Sequence, residues 1–277
     1  MKIIGLSCDL KCLNLGLDLI KDFNKDQINI GHLELGKYPV ELDKLPEENY
    51  KLQRNFIEKL KRIAPLMSTS VHFSSKAKWG HKEKRIRRIW LNEIRGLMEI
   101  CQYCGVKWIN IHLGQKSKKQ SREDYLKKAS ESLREIISWK YNVAISIETS
   151  YQSETQEGDE VGIYFDDFWF IHQNVPEIFF TIDIGHNLIS GESFWKYLCL
   201  LEKGMIISLH CHDNDGFCEH GKRGDPHRAV GEGITNWLEV KRFLGSKNII
   251  LIAENRDIIA SEISLIKLHE IFIEGRI

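Results

Sequence analysis

The chain has no net charge. Its 39 Lys and Arg are matched by 39 Asp and Glu, so no global field draws it to nucleic acid or to an anionic membrane. A local basic patch stays open. No run reaches the roughly 18–20 apolar residues that a membrane span needs. The opening residues, MKIIGLSCDL, turn polar too soon for a signal peptide and read as a first strand. The seven cysteines are odd in number and lack a spacing framework, which fits reduced thiols in a cytoplasmic protein. Cys101 and Cys104 form a C-x-x-C inside the helical pattern LNEIRGLMEICQYCGV. No second pair follows at finger spacing, so they read as core thiols rather than a zinc or redox motif. Cys8 and Cys12 are likewise unpartnered. There is no linker, low-complexity tract or internal repeat, and residues 1–277 are expected to form a single domain.

Present instead is a regular alternation. Apolar residues make up 42% and charged residues 28% of the chain, a globular composition. Short apolar, β-rich runs fall at 2–7, 28–35, 67–73, 106–113, 143–149, 178–184, 205–211 and 248–254. Amphipathic helical segments follow each, at about 14–24, 47–63, 84–104, 122–140, 165–173, 192–202, 234–244 and 259–273. Ser121, three residues before Asp124, is an N-cap signature, and Gly105 is a C-cap for the third long helix. Strands this continuously apolar are buried on both faces, as parallel strands under helices are. Eight βα units predict a closed (β/α)8 TIM barrel of the α/β class. An open doubly wound sheet would carry a Gly-rich phosphate loop after its first strand, and Ser7-Cys8-Asp9-Leu10 is not one.

The chemistry-bearing residues sit where barrel active sites are built, at the C-terminal strand ends. His72, His112 and Glu148 end the third, fourth and fifth strands. Asp183 ends the sixth, with His186 three residues on. His210 ends the seventh, followed by His212 and Asp213, then Asp225 and His227 in the next loop. Glu254 ends the eighth. Six of the eleven histidines fall at or just past a predicted strand end. Singly, such a His is usually a satisfied packing residue, Glu148 or Glu254 an ion-pair partner, and Asp183 a helix cap. So many ionisable groups in one mouth need compensation for desolvation, and divalent cations supply it. The loops add a weaker signal. KAKWGHKEKRIRR after His72, QKSKKQSR after His112, and Lys222, Arg223 and Arg228 later are read either as a site for an anionic substrate or as solvated helix starts. The loop after the fifth strand, with Glu154, Glu157, Asp159 and Glu160, opposes a uniformly basic groove.

The pieces SVHFS, NIHLG, ISIETS, TIDIGH, SLHCHDN, GDPHRAVGEG and IAEN, in this order, resemble the xylose-isomerase-like barrel superfamily, which includes endonuclease IV and many sugar isomerases and epimerases. The resemblance covers about residues 67–255 and implies two nested ligand sets. Sugar epimerases of this kind hold one metal at positions matching Glu148, Asp183, His210 and Glu254, and the two glutamates move the substrate proton. Endonuclease IV holds three metals and adds positions matching His72, His112, His186, Asp225 and His227. Carried over, His72, His112 and Glu148 hold a first zinc, and Glu148 bridges to a second on Asp183, His210 and Glu254. His186, Asp225 and His227 hold a third. Imidazole and carboxylate ligands suit Zn²⁺ and also Mn²⁺. Some positions depart from endonuclease IV. His212-Asp213 stands where Asn-Asp is usual, Leu113 replaces a proline, and Gly5-Leu6-Ser7-Cys8 replaces a G-x-H-x-S segment.

Two enzyme functions follow as expectations. One is a phosphoester hydrolase with two or three metals, acting on nucleic acid or a small phosphodiester. The other is a sugar or sugar-phosphate isomerase/epimerase with one metal, Glu148 and Glu254 as acid/base pair, and His186 and Arg228 on substrate hydroxyls or phosphate. The five extra ligand positions favour the hydrolase. A non-catalytic carbohydrate- or metal-binding barrel is the third possibility. Lys76, Trp79, His212 and Arg228 are the candidate substrate-contacting residues, with Trp79 either stacking on a ring or anchoring its loop. Glu34 is either a site acid or half of a buried ion pair. His32, His81, His172, His220 and His269 are read as surface or packing residues.

Overall fold

The computed structural model describes residues 2–9, 11–25, 28–36, 38, 46–152, 158–216 and 224–276. Lys222, Arg223, Glu154, Glu157 and His220 lie outside them. Eight parallel strands close a barrel: β1 (Ile3–Cys8), β2 (Ile30–Leu35), β3 (Ser68–His72), β4 (Trp108–Ile111), β6 (Ala144–Glu148), β8 (Phe179–Asp183), β9 (Ile206–Cys211) and β10 (Ile250–Ala253), in the cyclic order β1-β10-β9-β8-β6-β4-β3-β2. Nearly every side chain of these strands is buried, because Ile- and Leu-rich runs meet the barrel interior on one face and helices on the other.

The helices are α1 (Leu13–Lys25), α2 (Pro46–Ile63), α3 (Lys84–Cys104), α4 (Arg122–Ser138), α5 (Phe165–Asn174), α6 (Ile184–Ser190), α7 (Leu198–Glu202), α8 (Trp237–Leu244) and α9 (Ile258–His269). The Ser121 hydroxyl accepts from the Asp124 amide at 3.1 Å and starts α4. Gly105, at φ 77°, closes α3. Among the described residues no helix is long and apolar enough to cross a membrane, and Cys8, Cys12, Cys101, Cys104, Cys199 and Cys211 are free thiols.

Three features depart from the expected elements. A short helix, α6, starts directly at the end of β8. The helix expected at 192–202 is a 3-10 turn, Phe194–Tyr197, running into α7, because Gly191, at φ 67°, ends α6 just before it. Two three-residue strands, β5 (Gly114–Lys116) and β7 (Asp159–Val161), pair antiparallel as a flap outside the barrel, with Gln115 opposite Glu160.

Parallel register puts the site residues on adjoining rungs. Asp183 pairs with His210, His210 with Ile252, Glu148 with Thr181, and His72 with Asn110. Side chains two rungs apart on neighbouring strands therefore converge at one mouth.

Candidate metal centre

Local turns aim the ligands. Asp183 is the N-cap of α6, and its Oδ1 accepts from the His186 amide at 2.7 Å. The D-x-x-H spacing is thus a cap and the third residue of its helix, which stacks both side chains over the mouth. D-x-H works similarly: Asp225 Oδ1 accepts from the His227 amide at 3.1 Å, an Asx turn, and His227 sits at φ 49°.

Imidazole orientation is set from behind. His72 Nδ1 donates to the Phe73 carbonyl at 2.7 Å, His186 Nδ1 to that of Thr149 at 2.8 Å, and His227 Nδ1 to that of Glu254 at 2.9 Å. A carbonyl only accepts, so each Nε2 is left as a lone pair when the ring is neutral, the arrangement seen behind metal-binding histidines. Behind His210 stands Glu34, whose Oε1 lies 3.0 Å from Nε2 without a hydrogen bond of acceptable geometry. Glu34 is held in turn by the Ser70 hydroxyl, which also meets His32. Both are buried, so Glu34 is part of a buried pair and His32 a packing residue, stacked on Trp108 at 4.6 Å.

Three groups of donors result, each with its atoms within 4.8 Å of one another: His72, His112 and Glu148; Glu148, Asp183, His210 and Glu254; and His186, Asp225 and His227. Glu148 belongs to the first two. All nine expected ligand positions are therefore brought together. His212, His227 and Glu254 form a fourth such group.

The donor set fits divalent cations. Glu148 Oε1, Asp183 Oδ2 and Glu254 Oε2 are buried acceptors without a hydrogen bond. His210 Nδ1 lies 2.8 Å from Glu254 Oε2, yet no hydrogen bond of acceptable geometry joins them. Burial opposes charging His72, but the Glu148 carboxylate 3.1 Å away holds its pKa up at about 9. Burial pushes Asp183 well above the usual carboxylate range, and Glu148 and Glu254 add to that. Burial, with His72 and His186 nearby, pulls His112 down to about 4 against the opposing pull of Glu148. The protein's own means of balancing these charges is to hold protons on imidazole and carboxyl, and a divalent ion does the same work when it displaces them.

The cluster opens on a cavity of about 410 Å³, lined by His72, His112, Glu148, His186, His227 and Glu254 together with Lys76, Lys78, Gln115, Tyr151, Glu160 and Arg256. Of the expected substrate-contacting residues only Lys76 lines it. Trp79 is wholly buried and donates to the His112 carbonyl at 2.8 Å, so it anchors its loop and has no face for a ligand. His212 is wholly buried, and its Nε2 meets Asp225 Oδ2 at 2.7 Å. Arg228 points outward into a bidentate pair with Asp215, at 2.6 and 2.8 Å. The basic run after His72 divides likewise. Arg85, Arg87 and Arg88 pair with Glu83, Glu131 and Glu135, and only Lys76 and Lys78 reach the cavity. Arg256, Tyr151 and Glu160 were not anticipated. Arg256 lies two residues past Glu254, so the strand-end rule reaches it.

Residues 17–267 match the xylose isomerase-like TIM barrel model. The chain is 26% identical over 220 residues to a protein of Campylobacter hominis named as a probable endonuclease 4, covering 74% of this chain and 75% of that one. It superposes on a D-tagatose 3-epimerase-like protein with a TM-score of 0.74, 23% identity and 99% of both chains covered. It also superposes on the IOLI protein, solved with a bound zinc atom, with a TM-score of 0.72, 17% identity and 99% coverage of each. At those identities the structural likeness speaks to the fold alone. With the family match running through nearly the whole barrel, the chain belongs to the xylose isomerase-like TIM barrel family.

Proposed function

We propose that this protein is a phosphoester hydrolase that works with two or three divalent metal ions, zinc first by its ligand types and manganese second. The observation that carries this reading is the presence of three donor groups, two of them sharing Glu148, beside one cavity. A mononuclear enzyme needs the Glu148, Asp183, His210 and Glu254 group alone. The likeness to a probable endonuclease 4 points the same way. When bound, the ions supply Lewis-acid activation of water and charge stabilisation at the phosphoryl group.

The chain's own residues do the rest. Lys76, Lys78 and Arg256 line the cavity and make no ion pair among the described residues, so they are available to an anionic substrate. The carbonyls behind His72, His186 and His227 keep those imidazoles oriented. The flap, with Gln115 and Glu160 on the cavity wall, limits water access from one side. Six free thiols among the described residues are in keeping with a cytoplasmic enzyme.

Elemental analysis after reconstitution tests this, together with turnover of bis(p-nitrophenyl) phosphate. We expect two to three ions per chain and hydrolysis that chelation abolishes. A single ion at saturating metal overturns the reading. A second reading, a sugar isomerase or epimerase with one ion, is favoured by the placement of Glu148 and Glu254 together beside His210 Nδ1. Solvent-deuterium exchange at a ketose C–H bond distinguishes it.

A further inference from the structure

A second cavity, of about 330 Å³, adjoins the first. Both are lined by His72, His227, Glu254 and Arg256, so the mouth is one two-lobed groove with the ligand cluster at its seam. A substrate whose reacting atom lies over the cluster has one arm in each lobe. The lobes differ in charge. The flap-side lobe carries Lys76 and Lys78. The other is lined by Ser7, Asp9, Asn255 and Asp257, with Cys8 and Cys12 also on its wall, and among the described residues Arg256 at the seam is its one Lys or Arg.

Local structure positions both carboxylates, Asp257 by a hydrogen bond and Asp9 by the space beside Gly36. Asp257 caps α9, accepting from the Ala260 amide at 2.8 Å. Asp9 follows β1 and lies against Gly36 at the end of β2, where a Cβ would stand 2.6 Å from its Oδ1. Residue 36 thus leaves room for the carboxylate. A polynucleotide strand threaded through the groove would set its next phosphate beside Asp9 and Asp257, two exposed carboxylates whose repulsion is strongest at low salt. Uncharged hydroxyls find acceptors in these carboxylates and further partners in Ser7 and Asn255.

We infer, resting on the hydrolase reading, that the substrate is a small phosphodiester with an uncharged, hydroxyl-rich arm, and that the lobe lined by Ser7, Asp9 and Asn255 receives that arm. The test compares glycerophosphoglycerol with an oligonucleotide bearing one abasic site, on the metal-loaded full chain. Hydrolysis and equilibrium binding are read separately, by calorimetry and by fluorescence anisotropy. We expect a kcat/KM at least 100-fold higher for glycerophosphoglycerol, and tighter binding of it at equal ionic strength. Asp9→Asn should weaken the diester and tighten the oligonucleotide, shifting the affinity ratio about tenfold toward the oligonucleotide. If neither is cleaved but the diester is bound in preference, the hydrolase reading fails and the assignment of the lobe stands. Tighter binding of the oligonucleotide, no binding of the diester, or a ratio unmoved by Asp9→Asn overturns the inference.

Discussion

Asp183 and Asp225 each divide their two carboxylate oxygens between backbone and cluster. One oxygen accepts an amide two or three residues on, and the other faces the imidazoles. A cap or a turn is the bland reading of such a residue, and here it is also what aims the ligand. Asp213 shows the opposite case, a site-adjacent carboxylate with a wholly structural task. It is fully buried and accepts from the Gly231 amide, the Thr235 amide and hydroxyl, and the Trp237 indole at 2.7–3.1 Å. It also exchanges two backbone hydrogen bonds with Arg228, which ties down the segment carrying His227. Asp213→Ala leaves five donors without their acceptor, those of Asn214 and Trp237 buried and the other three part-buried. It should cost about 3–5 kcal/mol in urea unfolding and release the metal held through His227, whereas Asp213→Asn, keeping one acceptor oxygen, should cost less. A stable Asp213→Ala variant with full metal content would show that the loop is held otherwise.

The flap was the element least visible beforehand. Its strands, GQK and DEV, are three residues each, too short to carry a period, and more than forty positions separate them. The loops that hold them read as one basic and one acidic tract with opposed consequences. In the fold one ion pair among the described residues joins them, Lys116 with Asp159, and that pairing is non-local. Charge tracts judged singly therefore overstated the basic character of the mouth. The flap places Glu160 against the cavity, with Ser150 Oγ 3.3 Å from its carboxylate, and burial pushes its pKa from about 4.5 up to about 7. Between those values the folded chain holds the proton more tightly than the unfolded one. The contribution of Glu160 is therefore fully present below about pH 4.5 and is lost as pH rises to about 7. Glu160→Gln removes this dependence. In urea unfolding the variant should match wild type near pH 4.5 and exceed it at pH 8, by up to about 3 kcal/mol. Equal stabilities at pH 8 would mean that solvent reaches the carboxylate.

At the scale of the whole molecule, the barrel was readable because its signal is local and repeated. Each strand is a short apolar run that must be buried on both faces, and eight such runs between amphipathic segments leave few alternatives. That the nine expected ligand positions converge was readable for the same reason, since strand ends such as Glu148 and Glu254 are fixed by where the apolar runs stop. What each polar side chain meets was not readable, as His212, Trp79 and Arg228 show, because contacts are set by loops that return from distant positions. Under the proposed function the same geometry ties global stability to metal occupancy. Glu148, Asp183 and Glu254 meet around His210 at the ends of β6, β8, β10 and β9, so half of the barrel's strands end in one cluster of buried acids. An ion bound there at about a thousand times its dissociation constant adds about 4 kcal/mol to folding. At roughly 2–4 °C per kcal/mol for a chain of somewhat smaller size, chelation should lower Tm by about 10 °C per tightly bound ion. Zinc titration should restore it in steps if the three groups differ in affinity. Hydrogen exchange should rise first at the C-terminal ends of β6, β8, β9 and β10, while the β1–β2 pair, whose strands carry none of the nine ligands, stays protected. An unchanged Tm with uniform exchange would show that the cluster balances its charge with protons alone and that metal plays no part in holding the barrel closed.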